Sequence, residues 1–443
     1  MRRWCAIYVI MHCLGVTSFA SAAEPVRSTE KADTDESNVP PYTLPDPLVD
    51  SAGDRVTTIE KWRSKRRPEL LQLFEQEEYG RAPTERPTLK FTTTSEDNAA
   101  LGGKAIRKEV MIDVSTPRGH VPLHLLLYIP KDKKHAPCFL GLNFHGNQVV
   151  ANDPGITLAT CWVLNQPTVG IVENRATEAS RGSQAANWQV EEVIGRGYAV
   201  ATMCCGDIEP DSPDGLAKGV RALFLHAGQD KPADEEWGTI AAWAWGLSRA
   251  LDFLEIEPLV DAKRVAVWGH SRLGKAAVWA GAEDERFALV ISNNSGCGGA
   301  ALCKRVFGET VGIINDKFPH WFCGNFKKYS QNEAELPIDQ HELIALIAPR
   351  PVYVASATED RWADPRGEFL SAMNAEPVYR LLGCEGLGAD EMPTPDRSIG
   401  SSIGYHVRTG KHETTAFDWQ QYLKFADLHL REPSIDAGPS PKP

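Results

Sequence analysis

Apolar positions along this chain change their period several times, and each change marks an element. Across residues 62–79 (W-R-S-K-R-R-P-E-L-L-Q-L-F-E-Q-E-E-Y) they return on one side of a helix, at Leu70, Leu71, Phe74 and Tyr79. Residues 106–115 and 121–130 alternate instead, and the Thr116-Pro117-Arg118-Gly119 break between them predicts a β-hairpin. Short apolar runs follow at 137–144, 198–205, 265–268, 288–293 and 351–357, each of a length and composition suited to a buried strand. Helical stretches fall at 237–254, at 272–280 with Gly281 as the expected stop, at 367–382 and at 416–430. Strands alternating with helices of this length predict an α/β protein whose mainly parallel sheet is covered on both faces. No repeat or composition break divides residues 42–431, so one catalytic domain is expected there.

The two ends read differently. Arg2 and Arg3 precede an apolar run over residues 4–16, and Ala20-Ser21-Ala22 offers an A-x-A cleavage site, so residues 1–22 are expected to be a signal peptide. The run is too short to span a bilayer. Residues 23–41 are polar and charged and read as a disordered linker, and residues 432–443 as a flexible Pro-rich tail. An exported, secreted or periplasmic protein follows. Its net charge of −12 argues against nucleic acid or an anionic membrane as partner, because nothing would neutralise phosphates. The basic cluster Arg63-Lys65-Arg66-Arg67 reads as a solvated helix face rather than a polyanion site, since glutamates flank it. Cys5 and Cys13 would leave with the signal; Cys138, Cys161, Cys204, Cys205, Cys297, Cys303, Cys323 and Cys384 stay, with a connectivity that spacing does not give. None forms a C-x-x-C pair with matching histidines, so neither metal nor cofactor is expected, and the chain is expected to be a monomer.

The chemistry begins at V-A-V-W-G-H-S-R-L-G-K-A, residues 265–276. A serine between turn residues at a strand-to-helix junction is the nucleophile elbow of an α/β-hydrolase, which lifts the hydroxyl toward helix N–H groups able to meet an oxyanion. Gly274 stands one place later than G-x-S-x-G requires, so Ser271 as an ordinary helix N-cap is an equal reading on the motif alone. In this fold the order along the chain is serine, acid, histidine. His406 and His412 both lie before the last helix; His412 is preferred because Gly410 allows a tight approach. The strand at 288–293 ends in Asn293-Asn294, two amides that cannot stabilise imidazolium, whereas the next strand is followed by T-E-D-R-W-A-D, residues 358–364. Asp360 is the preferred acid, with Glu359 and Asp364 as alternatives. The strand-end loop Asn143-Phe144-His145-Gly146-Asn147 is either a donor of an oxyanion N–H or a plain loop.

Several stretches together resemble the glucuronoyl esterases, carbohydrate esterase family fifteen, especially their bacterial branch. They are G-H-S-R-L-G-K (269–275), S-G-C-G-G-A-A-L (295–302), G-E-T (308–310), F-P-H-W-F-C-G-N-F (318–326), A-P-R-P-V (348–352), E-D-R-W-A-D-P-R-G-E (359–368) and T-G-K-H-E (409–413). The resemblance implies an α/β-hydrolase fold: a three-layer sandwich with a mainly parallel central sheet and an N-terminal antiparallel hairpin. It implies a serine esterase cleaving the ester between 4-O-methyl-glucuronic acid on xylan and lignin alcohols, with glucuronoxylan or a lignin–carbohydrate ester as substrate. By the same resemblance Ser271 is the nucleophile, His412 the base, and Arg272 the oxyanion partner. Lys275 and Glu309 would hold sugar hydroxyls, and Trp362 would cover the sugar. The chain departs from many members at Asn294, where they carry a glutamate acid. In the branch with a later acid, the matching position is Asp360. An acetyl-xylan or related carbohydrate deacetylase, or a carbohydrate-binding protein with a degenerate site, are the rival readings.

Overall fold

The computed structural model describes residues 32–431. The expected signal peptide, the linker as far as residue 31 and the tail at 432–443 lie outside the described residues. From residue 32 the expected linker is held in place: Gly308 N–H donates to Asp33 O at 2.6 Å, and Arg305 pairs with Glu36 at 2.9 Å. The expectation of disorder fails there because these residues supply a carboxylate to an otherwise buried guanidinium.

The strands are β1 Thr88–Ala99, β2 Ala105–Thr116, β3 Gly119–Pro130, β4 Ala136–Asn143, β5 Ala199–Cys204, β6 Val260–His270, β7 Leu289–Asn293, β8 Val352–Ala357, β9 Arg397–Gly400 and β10 Ile403–Arg408. They form one ten-stranded sheet in the order β1-β2-β3-β5-β4-β6-β7-β8-β10-β9. From β5 to β10 every neighbour is parallel, and the antiparallel pairs lie at the two ends. The hairpin expected from alternation is β2–β3, closed at Thr116 opposite Gly119. Neither edge strand was anticipated. In β1 the run T-L-K-F-T-T-T-S-E-D-N-A is half solvent-facing on both sides, so it lacks the apolar alternation that reveals a strand.

The principal helices are α1 Arg67–Glu77, α2 Thr239–Leu254, α3 Arg272–Glu283, α4 Gln340–Ile347, α5 Pro365–Leu381 and α6 Ala416–His429. Helices α2 to α5 share one core with one face of the sheet, while α6 and the short turn Val190–Gly195 cover the other. This is the three-layer α/β-hydrolase sandwich. Gly281 does not stop α3. It lies inside the helix, where a Cβ would come within 2.3 Å of Val290 on β7, so the glycine is there for close helix–sheet approach. The basic cluster is a solvated face only in part, at the exposed Arg63. Arg66 is buried and pairs with Glu342 at 2.9 Å, and Arg67 donates to Ala282 O at 2.8 Å, clamping the α1 end onto α4 and α3. All eight cysteines of the described residues are free thiols.

Candidate active site

The parallel strands all deliver their C-terminal ends to one rim, and the candidate residues gather there. β6 ends at His270, and Ser271 follows as the N-cap of α3 with φ 58° and ψ −133°. A non-glycine residue in that region is strained, and it persists only where its surroundings over-determine it. They do so here: Ser271 N–H donates to Asn293 O at 2.9 Å, and its carbonyl accepts from Gly274 at 2.8 Å. A Cβ on Gly269 would lie 2.0 Å from Leu273 O, so only glycine lets the helix fold back on the strand so sharply. Gly274, one place late for the usual pattern, sits against Gly269 O and Ser295 Cβ at that same crossing. The turn leaves the first N–H groups of α3, including that of Arg272, without partners inside the helix.

Asp360 follows β8, and its backbone N–H is tied to Ala357 O. Its carboxylate takes His412 Nδ1 at 2.6 Å and the Asn294 amide at 2.6 Å. Burial alone would raise the Asp360 pKa. The hydrogen bond and charge of His412, with the Asn294 amide, outweigh it and hold the group below the usual carboxylate range, hence ionised at neutral pH. A carboxylate only accepts, so His412 Nδ1 carries the proton and Nε2 is left as the acceptor. Ser271 and His412 both line one cleft of about 390 Å³, with Phe144, His145, Leu164, Gln166, Gln184 and Trp188 among its other walls. The arrangement has what serine-based acyl transfer requires: a hydroxyl-bearing residue lining a cleft, an imidazole with one nitrogen free, and a buried charge that fixes its tautomer.

The remaining candidates extend from this point along α3. Arg272 pairs with Asp211 at 2.6 Å, and its guanidinium lies over the Phe144 ring at 4.7 Å and near Trp321 at 5.7 Å. Asp211 is itself braced by His320 at 2.9 Å and Trp321 Nε1 at 2.8 Å. Lys275, one turn further, is fully buried and gives its ammonium to Ser295 O at 2.7 Å, Cys297 O at 2.5 Å and Glu309 at 2.6 Å. An ammonium has three donors, and all are engaged. Glu309 N–H donates to Trp362 O at 2.9 Å, and the Trp362 ring is half-exposed under the Lys317 ammonium at 4.8 Å. Lys275, Glu309 and Trp362 therefore form a connected group, and none of the three is among the walls of the His412 cleft.

A family model described as glucuronyl esterase, fungi, matches residues 231–383. Carbohydrate esterase MZ0003, from an unknown prokaryotic organism, is 50% identical over 433 residues, covering 97% of this chain and 99% of its own. A promiscuous CE15 esterase from a marine bacterial metagenome superposes with a TM-score of 0.85 at 52% identity, over 90% of this chain and all 100% of that one. The chain belongs to carbohydrate esterase family 15. A glucuronoyl esterase from Solibacter usitatus matches nearly as well, with a TM-score of 0.84 at 49% identity over 89% of this chain and 100% of its own. Like those relatives, this family 15 member is a carboxylic ester hydrolase.

Within this family 15 site the alternatives weighed from sequence separate on geometry. His406 lies on β10 and is fully buried, with Tyr353 OH on Nδ1 at 2.9 Å and Asp418 on Nε2 at 2.9 Å. Both nitrogens are spent. Glu359 is exposed, and Asp364 caps α5 while pairing with Arg305 at 2.8 Å. Of the three acids near β8, Asp360 is the one whose carboxylate meets His412. Sequence reasoning missed three supporting groups. Asn294, read only as an acid that is absent, donates to Asp360, the candidate acid, at 2.6 Å. Glu368, the last residue of the E-D-R-W-A-D-P-R-G-E stretch, is buried beneath the site and accepts from Ser295 N–H at 2.7 Å, Gly296 N–H at 3.1 Å and Ser356 Oγ at 2.6 Å. Burial raises its pKa to about 8 despite those donors. His270, inside the elbow motif, packs on His412 with ring centroids 4.5 Å apart. Each lies within a stretch that had been singled out, but nothing in residue type alone assigns such a role.

Proposed function

We propose that this family 15 esterase is exported and hydrolyses 4-O-methyl-glucuronoyl esters joining glucuronoxylan to lignin alcohols, through an acyl-enzyme. Ser271 Oγ attacks the uronoyl carbonyl while His412 Nε2 takes its proton. Asp360 holds the ring in the Nδ1–H tautomer and balances the imidazolium. The Arg272 N–H and guanidinium stabilise the tetrahedral oxyanion, the guanidinium aimed by Asp211 and the Phe144 face. Collapse breaks the ester C–O bond, and the proton on His412 passes to the departing alcohol oxygen. Water then repeats the sequence on the acyl-enzyme and releases the uronic acid and Ser271. Glu309 accepts from sugar hydroxyls with lone pairs that Lys275 leaves free, Lys275 orienting it, and the Trp362 indole lies against the sugar ring.

The observation that carries this reading is the Asp360–His412 contact of 2.6 Å beside a strained Ser271 in one cleft. The names of the glucuronoyl esterase relatives support the acid half of the ester, and the Arg2-Arg3 leader with its A-x-A site supports export. The test is hydrolysis of benzyl glucuronate by the wild type and by Ser271→Ala. Turnover abolished by the substitution is expected. A higher rate on acetylated xylan than on the glucuronate ester would instead make this a carbohydrate deacetylase.

A further inference from the structure

His270 stands between two groups that already have assigned surroundings. It ends β6, lines the cleft beside Ser271, and packs its ring at 44° to that of His412 with centroids 4.5 Å apart. Phe144 meets it edge-on at 6.3 Å. Its Nδ1 lies 2.6 Å from Asn293 Oδ1. The direction of that bond can be deduced from the far side of Asn293. The Asn293 Nδ2 faces Asp418 Oδ1 at 3.3 Å and Tyr422 OH at 2.8 Å. Asp418 is held ionised by His406 and Arg408 against its burial, so it can only accept, and the Asn293 amide is fixed with its oxygen toward His270. Thr414 Oγ1 donates to the same oxygen at 3.2 Å. His270 Nδ1 must therefore carry a proton.

The ring is also kept neutral. Desolvation and the neighbouring His412 push its pKa down to about 3, against the pull of Asn293, Asp360 and Asp418. Those are the groups that face it from β7, the β8 end, α6 and the His412 loop. A charged ring here would repel the imidazolium that His412 becomes in the reaction. A neutral one presents a π face within the distance at which such a face attracts a cation. Asp360 holds His412 by one edge only, and an edge hydrogen bond leaves the ring free to swing about it.

We infer that His270 is a positioning residue: anchored through Asn293 to Asp418, its ring holds the face of His412 so that Nε2 stays aimed at Ser271. This rests on His412 being the base. The anchor crosses from the cleft to α6, which makes the buried network under the sheet part of how the base is aimed.

The test compares His270→Ala and His270→Asn with wild type on benzyl glucuronate, following kcat, KM and the far-downfield proton resonance of the Asp360–His412 hydrogen bond. Asn keeps a donor for Asn293 and lacks the ring, so it decides the matter even if the Ala variant fails to fold. The expected result is a kcat lower by about 10²-fold, the scale on which a misplaced catalytic group loses rate, with KM little changed and the resonance shifted or broadened. A folded His270→Asn enzyme with wild-type kcat, or a loss confined to KM with the resonance unmoved, overturns the inference. His412→Ala measured alongside separates the two readings: if it retains the wild-type rate, the base is misassigned and the failure is not that of His270.

Discussion

His406 and His412 each hold an aspartate, at 2.9 Å and 2.6 Å, and the two pairs are built for different ends. In the His406–Asp418 pair both side chains are wholly buried. Asp418 also takes Arg408 Nε at 2.8 Å and both donors of Thr415 at 2.7 Å, while His406 spends its second nitrogen on Tyr353. Every partner is satisfied, so the pair ties β10 to the start of α6 and offers nothing to a substrate. In the His412–Asp360 pair the acid is 3% exposed but the histidine side chain is 40% exposed. Asp360 also takes the Asn294 amide and the Ala363 N–H, and His412 keeps Nε2 unspent. Distance between ring and carboxylate does not tell a pair able to act on a substrate from a structural one. The unspent nitrogen and the access to it do.

Exchanging one atom in each pair would test that distinction most sharply. Asp360→Asn removes the charge and favours the wrong imidazole tautomer, so kcat on benzyl glucuronate should fall by about 10⁴-fold with little change in Tm. A small loss of rate would collapse the contrast and return the acid role to Glu359 or Asp364. Asp418→Asn should act first on stability. It removes the charge that pairs with buried Arg408 and should cost about 3 kcal/mol by denaturant unfolding, while kcat of the folded enzyme falls by less than the 10²-fold expected of His270→Asn, because the His270 ring is still present.

Asn294→Ala probes the thinner shell around Asp360. Losing a hydrogen bond to a buried charge should lower kcat by about 10-fold, measured at saturating substrate, and an unchanged kcat would mean the amide only fills space. The smallest effect concerns Glu368, whose pH response runs opposite to that of the two aspartates. Asp360 and Asp418 have folded pKa values held below the usual range, so their contribution is present above about pH 3.9 and disappears as pH falls through the folded values. The folded Glu368 pKa is raised to about 8, so its contribution is complete below about pH 4.3 and is lost as pH rises toward 8. Glu368→Gln should therefore flatten the decline of Tm across that window by calorimetry, while leaving the acid-side decline as it is. An identical slope in the two proteins would contradict the burial of an ionisable group beneath the site.

Much of the frame can be read directly from the chain. The β2–β3 hairpin and the buried parallel strands carry long apolar patterns, and local pattern is what one-dimensional reading detects. The edge strands β1 and β9 escape sequence reading because they bury no residue and lack an apolar alternation, and the Arg66–Arg67 cluster escapes it because its partners Glu342 and Ala282 lie far along the sequence. Gly281 looked like a helix end for the same reason: its cause is Val290, on another element.

At the site the division follows the same line. Residue order along the chain made Ser271, His412 and Asp360 the preferred candidates, because strand ends and the last loop of this architecture converge on one rim. Order and spacing favoured His412 and Asp360 without showing that His406 and Asp364 are already engaged elsewhere, and they gave no role to Asn294, Glu368 or His270. Those choices depend on which nitrogen is free, which carboxylate is already capped or paired, and which ring lies against which. Such facts exist only after the sheet has brought distant side chains within hydrogen-bond range, since the strength and direction of those contacts vary over ångströms that sequence separation does not encode.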